Sequence, residues 1–211
     1  MLFGSKSIPI SHKEVSEQEA IQAEEWVWVT RVREGDRGAF DILIKRYRER
    51  LYGMVYHMMA NMADAADLTQ DIFIQAFRSI HSFKGKSSFF TWLYRIGVNK
   101  TLEYIRHNKR RRFFSLQAMD GQAVGEDFWR FTTIHDNAEK HAYLHELQEK
   151  LNEALQKLSN KHRMVVVLYE LENMSHSEIA AILKCSEGTV RSRLHYAKSQ
   201  LKEFLKEYAH E

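Results

Sequence analysis

Apolar residues recur three or four positions apart along most of the chain, and this spacing predicts a protein built from α-helices. In the first half, one helix follows Asp36, a suitable N-cap, and another begins at about Ala65 after a turn at residues 61–64. A third occupies the middle of the stretch from Ser82 to Arg112. Their apolar faces are formed by Phe40, Leu43, Ile44, Tyr47, Leu51, Met54, Val55, Met58, Leu68, Ile72, Phe73, Ala76, Phe77, Ile80, Tyr94, Val98, Leu102 and Ile105.

The residues before Asp36 show a weaker pattern. The stretch from Met1 to about Ala23 is polar and has no clear period, so residues 1–24 are expected to form a loosely ordered extension. A short helix from Trp26 to Arg33 follows. With the three longer helices it predicts one compact helical bundle over residues 25–112.

The helical period is interrupted between Phe113 and about Asn137, where glycines stand among polar and acidic residues. This composition predicts a flexible linker, assigned to residues 113–138. The period then returns, and residues 139–211 are expected to form a second small helical domain, in which Ser159 or Asn160 caps a helix. Its first apolar positions are Tyr143, Leu147, Leu151, Ala154, Leu155, Leu158, Met164, Val165, Val167, Leu168 and Leu171.

The segment from Met174 to Leu205 has the pattern of a helix-turn-helix. Ser175 and Glu178 match a capping box ahead of a short helix, and Ser186 can cap a longer helix after a tight turn. In this motif the second helix enters the DNA major groove, where its first residues contact base edges. An ordinary antiparallel helix pair is the alternative. The outward residues of the second helix are Arg191, Ser192, His195, Tyr196 and Ser199.

Composition narrows the class of protein. The 211 residues include one proline, nine glycines and one cysteine, so helix is favoured and no internal disulfide can form. No apolar run is long enough to span a bilayer, and the N-terminus lacks the apolar core of a secretory signal. A cytoplasmic protein without direct membrane insertion is therefore expected. The net charge is only +3, but cations cluster at Lys109–Arg112 and along Arg191–Lys202.

The stretch from Ser82 to Arg112 combines aromatic rings with cations. Such a surface suits a single strand of nucleic acid, because bases stack on rings while phosphates meet cations. The alternative is that the rings belong to the core and the basic run favours the helix dipole. The candidate residues are Phe83, Lys84, Phe89 and Phe90 in a polar loop, and Trp92, Arg95, Asn99 and Arg106 on the outer face of the helix.

Two further groups of residues were considered as sites. Asp67, Gln70 and Asp71 share the polar side of their helix, where acids either favour the helix dipole or bind a partner. His141 and His145 have a spacing that can chelate a metal, but no other ligands are apparent, so a solvated face is expected and no metal or cofactor. No paired carboxylates, nucleophile–base arrangement or phosphate loop emerges, so an enzyme is not expected.

Three segments of the chain resemble one protein family. EIAAILKCSEGTVRSRLHYAKSQL resembles the fourth-region helix-turn-helix of sigma-70 family factors. FKGKSSFFTWLYRIGVNKTLEYIR resembles their second region, and DLTQDIFIQAFRSI resembles its polymerase-binding part. No clear third-region sequence intervenes, so the chain is similar to the extracytoplasmic-function (group IV) sigma factors over about residues 26–110 and 139–206.

The resemblance implies an alternative-type sigma factor that binds core RNA polymerase and directs promoter recognition, promoter melting and initiation. Implied partners are the beta-prime clamp coiled coil and the beta flap of the polymerase, promoter DNA, and an anti-sigma factor that can hold the protein at the membrane. No small-molecule substrate is implied. The implied polymerase-binding residues are Asp67, Gln70 and Asp71. The implied minus-ten residues are Phe83, Lys84, Phe89, Phe90, Trp92, Arg95, Asn99 and Arg106. The implied minus-thirty-five residues are Thr189, Arg191, Ser192, His195 and Tyr196.

Two other functions remain open at this stage. A helix-turn-helix regulator with an N-terminal helical sensor domain predicts symmetric dimers on palindromic sites and no need for polymerase. The aromatic and basic stretch argues against it, because a sensor domain has no use for such a face. An enzyme or RNA-modifying protein built on the basic surface predicts a polar catalytic cluster, and the sequence shows none.

Overall fold

The computed structural model describes residues 12–114 and 138–206, and these residues form helices and turns without strands. This confirms the predicted all-α class, whereas the predicted linker falls almost wholly outside the described residues. The helices are α1 (His12–Arg33), α2 (Arg37–Met59), α3 (Met62–Arg78), α4 (Phe89–Phe114), α5 (Ala138–Lys157), α6 (Asn160–Val166), α7 (His176–Leu183) and α8 (Glu187–Phe204). A 3-10 turn (Ile80–Ser82) follows α3, and a π-helical turn (Val167–Leu171) follows α6.

Side-chain caps set where several helices begin, as their sequences predicted. The Asp36 carboxylate accepts from the Ala39 N–H, and the Ser159 and Ser186 hydroxyls cap α6 and α8 in the same way. The start of α1 is a correction. This helix begins at His12, so the expectation of a loosely ordered extension is wrong from residue 12 onward.

The N-terminal domain, α1 to α4, is organised around α2. Leu43, Leu51 and Met54 of α2 are completely buried, and α3 and α4 pack against them. Gly97 allows α4 to approach closely, because a Cβ there would lie 2.9 Å from Leu51 Cδ1. One predicted core position is wrong: Phe77 is 39% exposed on α3.

The C-terminal domain, α5 to α8, contains a buried arginine that periodicity did not reveal. The Arg163 guanidinium donates to the carbonyls of Leu155, Gln156 and Leu158 and to the Gln156 side chain. Burial lowers the pKa of Arg163 to about 10, so the group stays charged at neutral pH. Because these four acceptors belong to residues 155–158, this cation holds the end of α5 against α6.

Two apolar positions of this domain lie at its surface. Leu147 is 51% exposed and Leu171 is 38% exposed. Leu171 ends the π-helical turn, whose wider winding moves it off the α-helical stripe. Leu147 lies toward the start of α5, where the described residues provide no core to cover it.

The two domains contact each other, so their relative position, which the sequence left open, is defined here. Arg163 also donates to the Met58 carbonyl of α2 at 2.5 Å. His57 Nδ1 lies 2.6 Å from the Asn152 side-chain oxygen, and the Gln156 amide donates to the His57 carbonyl at 3.1 Å. These contacts join the end of α2 to α5 and α6.

A buried glutamate forms the centre of a second contact between the domains. Glu172, just after the π-helical turn, is 6% exposed. Its carboxylate accepts from the Tyr94 hydroxyl at 2.8 Å, and Arg50 donates to its Oε2 at 3.3 Å and to its carbonyl at 3.0 Å. Burial raises the pKa of Glu172, and the bonds from Tyr94 and Arg50 oppose that shift.

Candidate nucleic-acid and polymerase surfaces

The rings around the first turn of α4 form a packed aromatic cluster. Phe83 is 4% exposed and Phe89 is 1% exposed. The ring centroid of Trp92 lies 5.3 Å from that of Phe83 and 5.5 Å from that of Phe89. The prediction that Phe83 and Phe89 contact DNA directly is not supported here, because no face of either ring is free to stack on a base. They form the floor beneath Trp92, as the alternative of core packing foresaw.

The remaining candidates on α4 reach the surface to different degrees. Trp92, Phe90 and Arg95 are half-buried, whereas Asn99 and Arg106 are exposed. Among described residues, Arg95 Nε is buried without a hydrogen-bond partner, which is a costly state for a guanidinium. The helix therefore presents one exposed amide and an incompletely satisfied cation beside a half-exposed indole.

Phe90 has two close neighbours and is half-buried. The Arg50 guanidinium lies 4.2 Å from its ring centroid, and the Tyr94 ring lies 4.2 Å from it on a tilted plane. Since Arg50 and Tyr94 also bind Glu172 of the C-terminal domain, the domain contact covers the side of α4 on which Phe90 lies.

A glutamate of α1 that the sequence analysis missed caps α4. The Glu25 carboxylate is 2% exposed, accepts from the Phe89 N–H at 3.1 Å, and accepts from the Tyr47 hydroxyl through its other oxygen. Burial raises the pKa of Glu25, and the Phe89 N–H opposes that shift. The signal available in the sequence was an acidic residue at helical spacing from Val29 and Val32, which are both buried.

The candidate polymerase surface lies on α3. Asp67, Gln70 and Asp71 are all exposed, as their pattern predicted. Ile74 is 41% exposed and continues the same stripe one turn later, followed by the exposed Phe77. The surface thus combines carboxylates with apolar side chains, which is the mixture of charge and burial area that a protein partner can use.

The helix-turn-helix has the geometry that its sequence predicted. Ser175 and Glu178 form a complete capping box at α7, and Lys184 adopts the left-handed conformation (φ 51°) that ends it. Ala180 is buried where α7 meets α8. Among the α8 residues predicted to contact DNA, Thr189 is half-buried. The others are exposed, and these are Arg191, Ser192, His195 and Tyr196.

The first turns of α4 also meet α7. The Thr91 hydroxyl donates to Glu178 at 3.3 Å, so the capping glutamate of the helix-turn-helix contacts the aromatic helix. Asn99 lies two turns further along α4 and remains exposed. The compact arrangement therefore leaves the outer face of α8 and Asn99 of α4 open to solvent.

Within the described residues, no group of three or more histidine, cysteine or acidic side chains could hold a metal ion. The side chains of His141 and His145 lie outside that description. None of the described helices is both long and apolar enough to cross a bilayer.

Family models match both domains. Residues 43–111 match Sigma-70 region 2, and residues 148–201 match Sigma-70, region 4. The chain is 35% identical over 183 residues to the ECF RNA polymerase sigma-E factor of Escherichia coli (strain K12), which covers 85% of this chain and 93% of that relative. It is 31% identical over 178 residues to the RNA polymerase sigma-H factor of Pseudomonas aeruginosa, covering 82% and 89% of the two chains.

A solved structure shows the same fold. The sigma factor RpoE from Bartonella quintana, in complex with the anti-sigma factor NepR, matches with a TM-score of 0.63. The identity is 24%, and the match covers 79% of this chain and 96% of that chain. The two-domain helical architecture is therefore shared with a solved member of this group of proteins.

Proposed function

This chain belongs to the extracytoplasmic-function group of the sigma-70 family of RNA polymerase sigma factors, and we propose which of its surfaces carries out each step of initiation. It is an alternative sigma factor that binds core RNA polymerase and directs promoter recognition and transcription initiation. Sigma factors are DNA-binding initiation factors and not catalytic enzymes. The proposal concerns which residues carry each step.

The N-terminal domain holds the separated minus-ten strand on α4. The observation that carries this proposal is the exposed Asn99 on the same helix as the half-buried Trp92 and Arg95, above a floor of buried rings. Extruding a base from the duplex costs a few kcal/mol. This cost is offset when the base stacks on the indole and forms a hydrogen bond with the amide. Lys84 and Arg106, both exposed, neutralise phosphates of the same strand.

The C-terminal domain reads the minus-thirty-five element as duplex. Arg191, Ser192 and His195 lie on the exposed face of α8, near the N-terminal end that reaches base edges in this motif. Tyr196 is 55% exposed and its ring lies 4.9 Å from that of His162, so it offers an aromatic surface at the same face. Binding to duplex should weaken steeply with added salt, because phosphate neutralisation releases counterions.

Polymerase binding is assigned to the exposed stripe of α3. Asp67, Gln70 and Asp71 contact the beta-prime clamp coiled coil, and the C-terminal domain contacts the beta flap. The two functional domains are the N-terminal domain, α1 to α4, and the C-terminal domain, α5 to α8. The protein acts in the bacterial cytoplasm, where an anti-sigma factor restrains it, at the membrane if that factor is membrane-bound.

Run-off transcription tests the assignment. Purified core polymerase and genomic promoter fragments are incubated with the wild-type protein, with Asn99→Ala, or with Gln148→Ala. Gln148 is an exposed amide on α5, outside every proposed surface, so its truncation controls for the loss of an amide. We expect Asn99→Ala to bind core polymerase normally but to open promoters poorly, whereas Gln148→Ala behaves as wild type.

The opposite result would identify the other class of protein. A chain that binds palindromic DNA as a dimer and never directs initiation would be a conventional regulator. The roles given to Asn99 and to Asp67, Gln70 and Asp71 would then be wrong.

A further inference from the structure

We propose that α1 is the positioning element of the loop that captures the minus-ten strand. The capture loop is defined as residues 83–88, between the 3-10 turn and α4. This inference rests on the proposed function of that loop and names residues outside the segment 43–111 that matches the family model. Three side chains of α1 hold the loop at its beginning, its middle and its end.

Arg33 holds the beginning of the loop. Its guanidinium donates to the Ile80 carbonyl through Nε at 3.3 Å and through Nη2 at 3.2 Å, and Nη2 also donates to the Phe83 carbonyl. The Ile80 carbonyl also accepts from the Phe83 N–H, which closes the 3-10 turn at 3.2 Å, and the Phe83 carbonyl follows that turn. A charged donor shared between these two carbonyls therefore fixes the direction in which the chain leaves the 3-10 turn.

Trp26 holds the middle of the loop. Gly85 has a φ of 68°, a conformation that favours glycine, and a Cβ at this position would lie 2.8 Å from Cζ3 of the Trp26 indole. The indole centroid is also 5.9 Å from that of Phe83. Trp26 remains 40% exposed, and the Arg33 guanidinium lies 5.3 Å from its ring centroid.

Glu25 holds the end of the loop. The N–H of Phe89 is one of the donors that the first turn of α4 leaves without an intrahelical partner, and the Glu25 carboxylate accepts from it. The Tyr47 hydroxyl binds the other oxygen and so fixes the carboxylate relative to α2. The Ser88 hydroxyl accepts from the Thr91 N–H of the same turn at 3.1 Å, so Glu25 and Ser88 together hold the start of α4.

The consequence is a preorganised loop. Lys84, Gly85 and Lys86 are all exposed, and the Trp26 ring lies against one side of Gly85. A loop that is already ordered loses less conformational freedom when a strand binds. Loosening α1 should therefore weaken capture of the single strand and its base discrimination, while polymerase binding by α3 and duplex binding by α8 stay unchanged.

The test uses holoenzyme assembled from core polymerase and each full-length variant. The probe is the non-template-strand oligonucleotide of a promoter that the wild-type protein transcribes, together with oligonucleotides changed at single minus-ten bases. The variants are Trp26→Ala, Arg33→Gln, Trp26→Phe and Val27→Ala. Val27 is 54% exposed on the same helix and serves as the matched control.

We expect Trp26→Ala and Arg33→Gln to weaken oligonucleotide binding roughly five- to tenfold and to narrow the difference between matched and changed oligonucleotides. Trp26→Phe should restore part of the affinity, because a smaller ring can still cover Gly85. Val27→Ala should match wild type. Affinity for core polymerase and for minus-thirty-five duplex should be the same in all four variants.

A double-mutant cycle isolates the contact between the indole and the loop. Gly85→Ala is strained by its positive φ in either background but collides with Trp26 only when the indole is present. It should therefore weaken oligonucleotide binding less in the Trp26→Ala background than in wild type.

Two results would overturn the inference. Wild-type behaviour of Trp26→Ala and Arg33→Gln would show that α1 does not position the loop, and a parallel loss of polymerase binding would show a general structural defect. Failure of the wild-type holoenzyme itself to bind any promoter oligonucleotide is a different outcome, because it removes the proposed function and this inference with it.

Discussion

Two buried glutamates each contact the first turns of α4, and they differ in what they join. Glu25 connects three helices of one domain, through the Phe89 N–H and the Tyr47 hydroxyl. Glu172 connects the two domains, through Tyr94 of α4 and Arg50 of α2. Each carboxylate accepts from a tyrosine hydroxyl, and burial raises the pKa of both.

This difference in what the two glutamates join indicates which of the two contacts persists when the protein binds a promoter. The minus-ten and minus-thirty-five elements are about 25 base pairs apart, or roughly 85 Å at about 3.4 Å per base pair. Domains that touch each other cannot occupy both elements at once. We therefore expect the Glu172 contact to open during promoter binding, while the Glu25 contact stays closed and keeps α4 in place.

The largest expected effect breaks the permanent contact. Glu25→Ala leaves the Phe89 N–H and the Tyr47 hydroxyl without an acceptor, at about 1–3 kcal/mol for each buried donor. The free energy of unfolding of the N-terminal domain should fall by about 3 kcal/mol. Amide hydrogen exchange along α2 and α4 measures this loss separately from α8.

The neighbouring Glu24 supplies the control for that experiment. It pairs with Arg46 at 2.8 Å on the surface, where such pairs contribute about 1 kcal/mol or less. Glu24→Ala should leave exchange along α4 nearly unchanged. Equal effects of the two substitutions would show that Glu25 is not a structural acceptor.

A smaller effect is expected from opening the domain contact. Glu172→Gln weakens the bonds from Arg50 and Tyr94, each worth roughly 1 kcal/mol or more, so the opening equilibrium should rise about tenfold. Small-angle X-ray scattering should show a larger radius of gyration. Glu170→Gln is the control, because Glu170 pairs with Lys198 inside the C-terminal domain. An unchanged radius for Glu172→Gln would contradict the role given to this contact.

The hydroxyls of Tyr47 and Tyr94 can be removed one at a time, which tests the Glu25 and Glu172 contacts separately. Tyr47→Phe and Tyr94→Phe are the same chemical change and should each cost about 1 kcal/mol. The first should appear as faster exchange along α2 and α4, and the second as a shift toward open domains in scattering. Both substitutions acting on the same measurement would mean that the two contacts are coupled rather than separate.

The smallest expected effect is on pH dependence. Burial lowers the pKa of His57 below its ordinary value of 6.5, and the Asn152 oxygen beside it partly opposes the shift. The stability that neutral His57 contributes is therefore present above that value and is lost as pH falls through the folded pKa. The raised pKa of Glu172 acts in the other direction, since its contribution falls as pH rises.

Comparison of the wild type with His57→Gln separates the effect of His57 on the pH dependence of domain opening from that of Glu172. As the pH falls from about 7.5 to about 5.5, the fraction of molecules with open domains should rise more in the wild type than in the variant. The same scattering measurement across that range gives the difference. Parallel curves for the two proteins would show that His57 does not contribute to the contact.

Much of the fold could be predicted because its signals are local. The caps at Asp36, Ser159, Ser175 and Ser186 involve side chains three residues from the amides they bind. The stripe of α8 likewise follows from helical spacing alone. Such features depend on residues within one or two turns, which a single sequence shows directly.

The two glutamates could not be predicted because their partners are distant in the chain. The bond between Glu25 and Phe89 spans 64 residues, and the bond between Tyr94 and Glu172 spans 78. Aromatic composition placed Phe83 and Phe89 near the strand-binding surface, but periodicity could not show which rings would be covered by Trp26 and Trp92. The exposure of Asn99, by contrast, followed from its place on the helix.

The π-helical turn before Glu172 sets the direction in which that carboxylate points. Its last hydrogen bond runs from the Glu172 N–H to the Val167 carbonyl, five residues back and 3.1 Å away. A helix turns by about 100° per residue, so the additional residue changes the angular phase of everything after it. Deleting one residue from 167–171 would rewind the turn as α-helix and rotate the glutamate away from Tyr94. The length of this turn thus acts as a one-residue adjustment of how the two domains contact each other, made in a segment whose first two residues, Val167 and Leu168, are themselves buried.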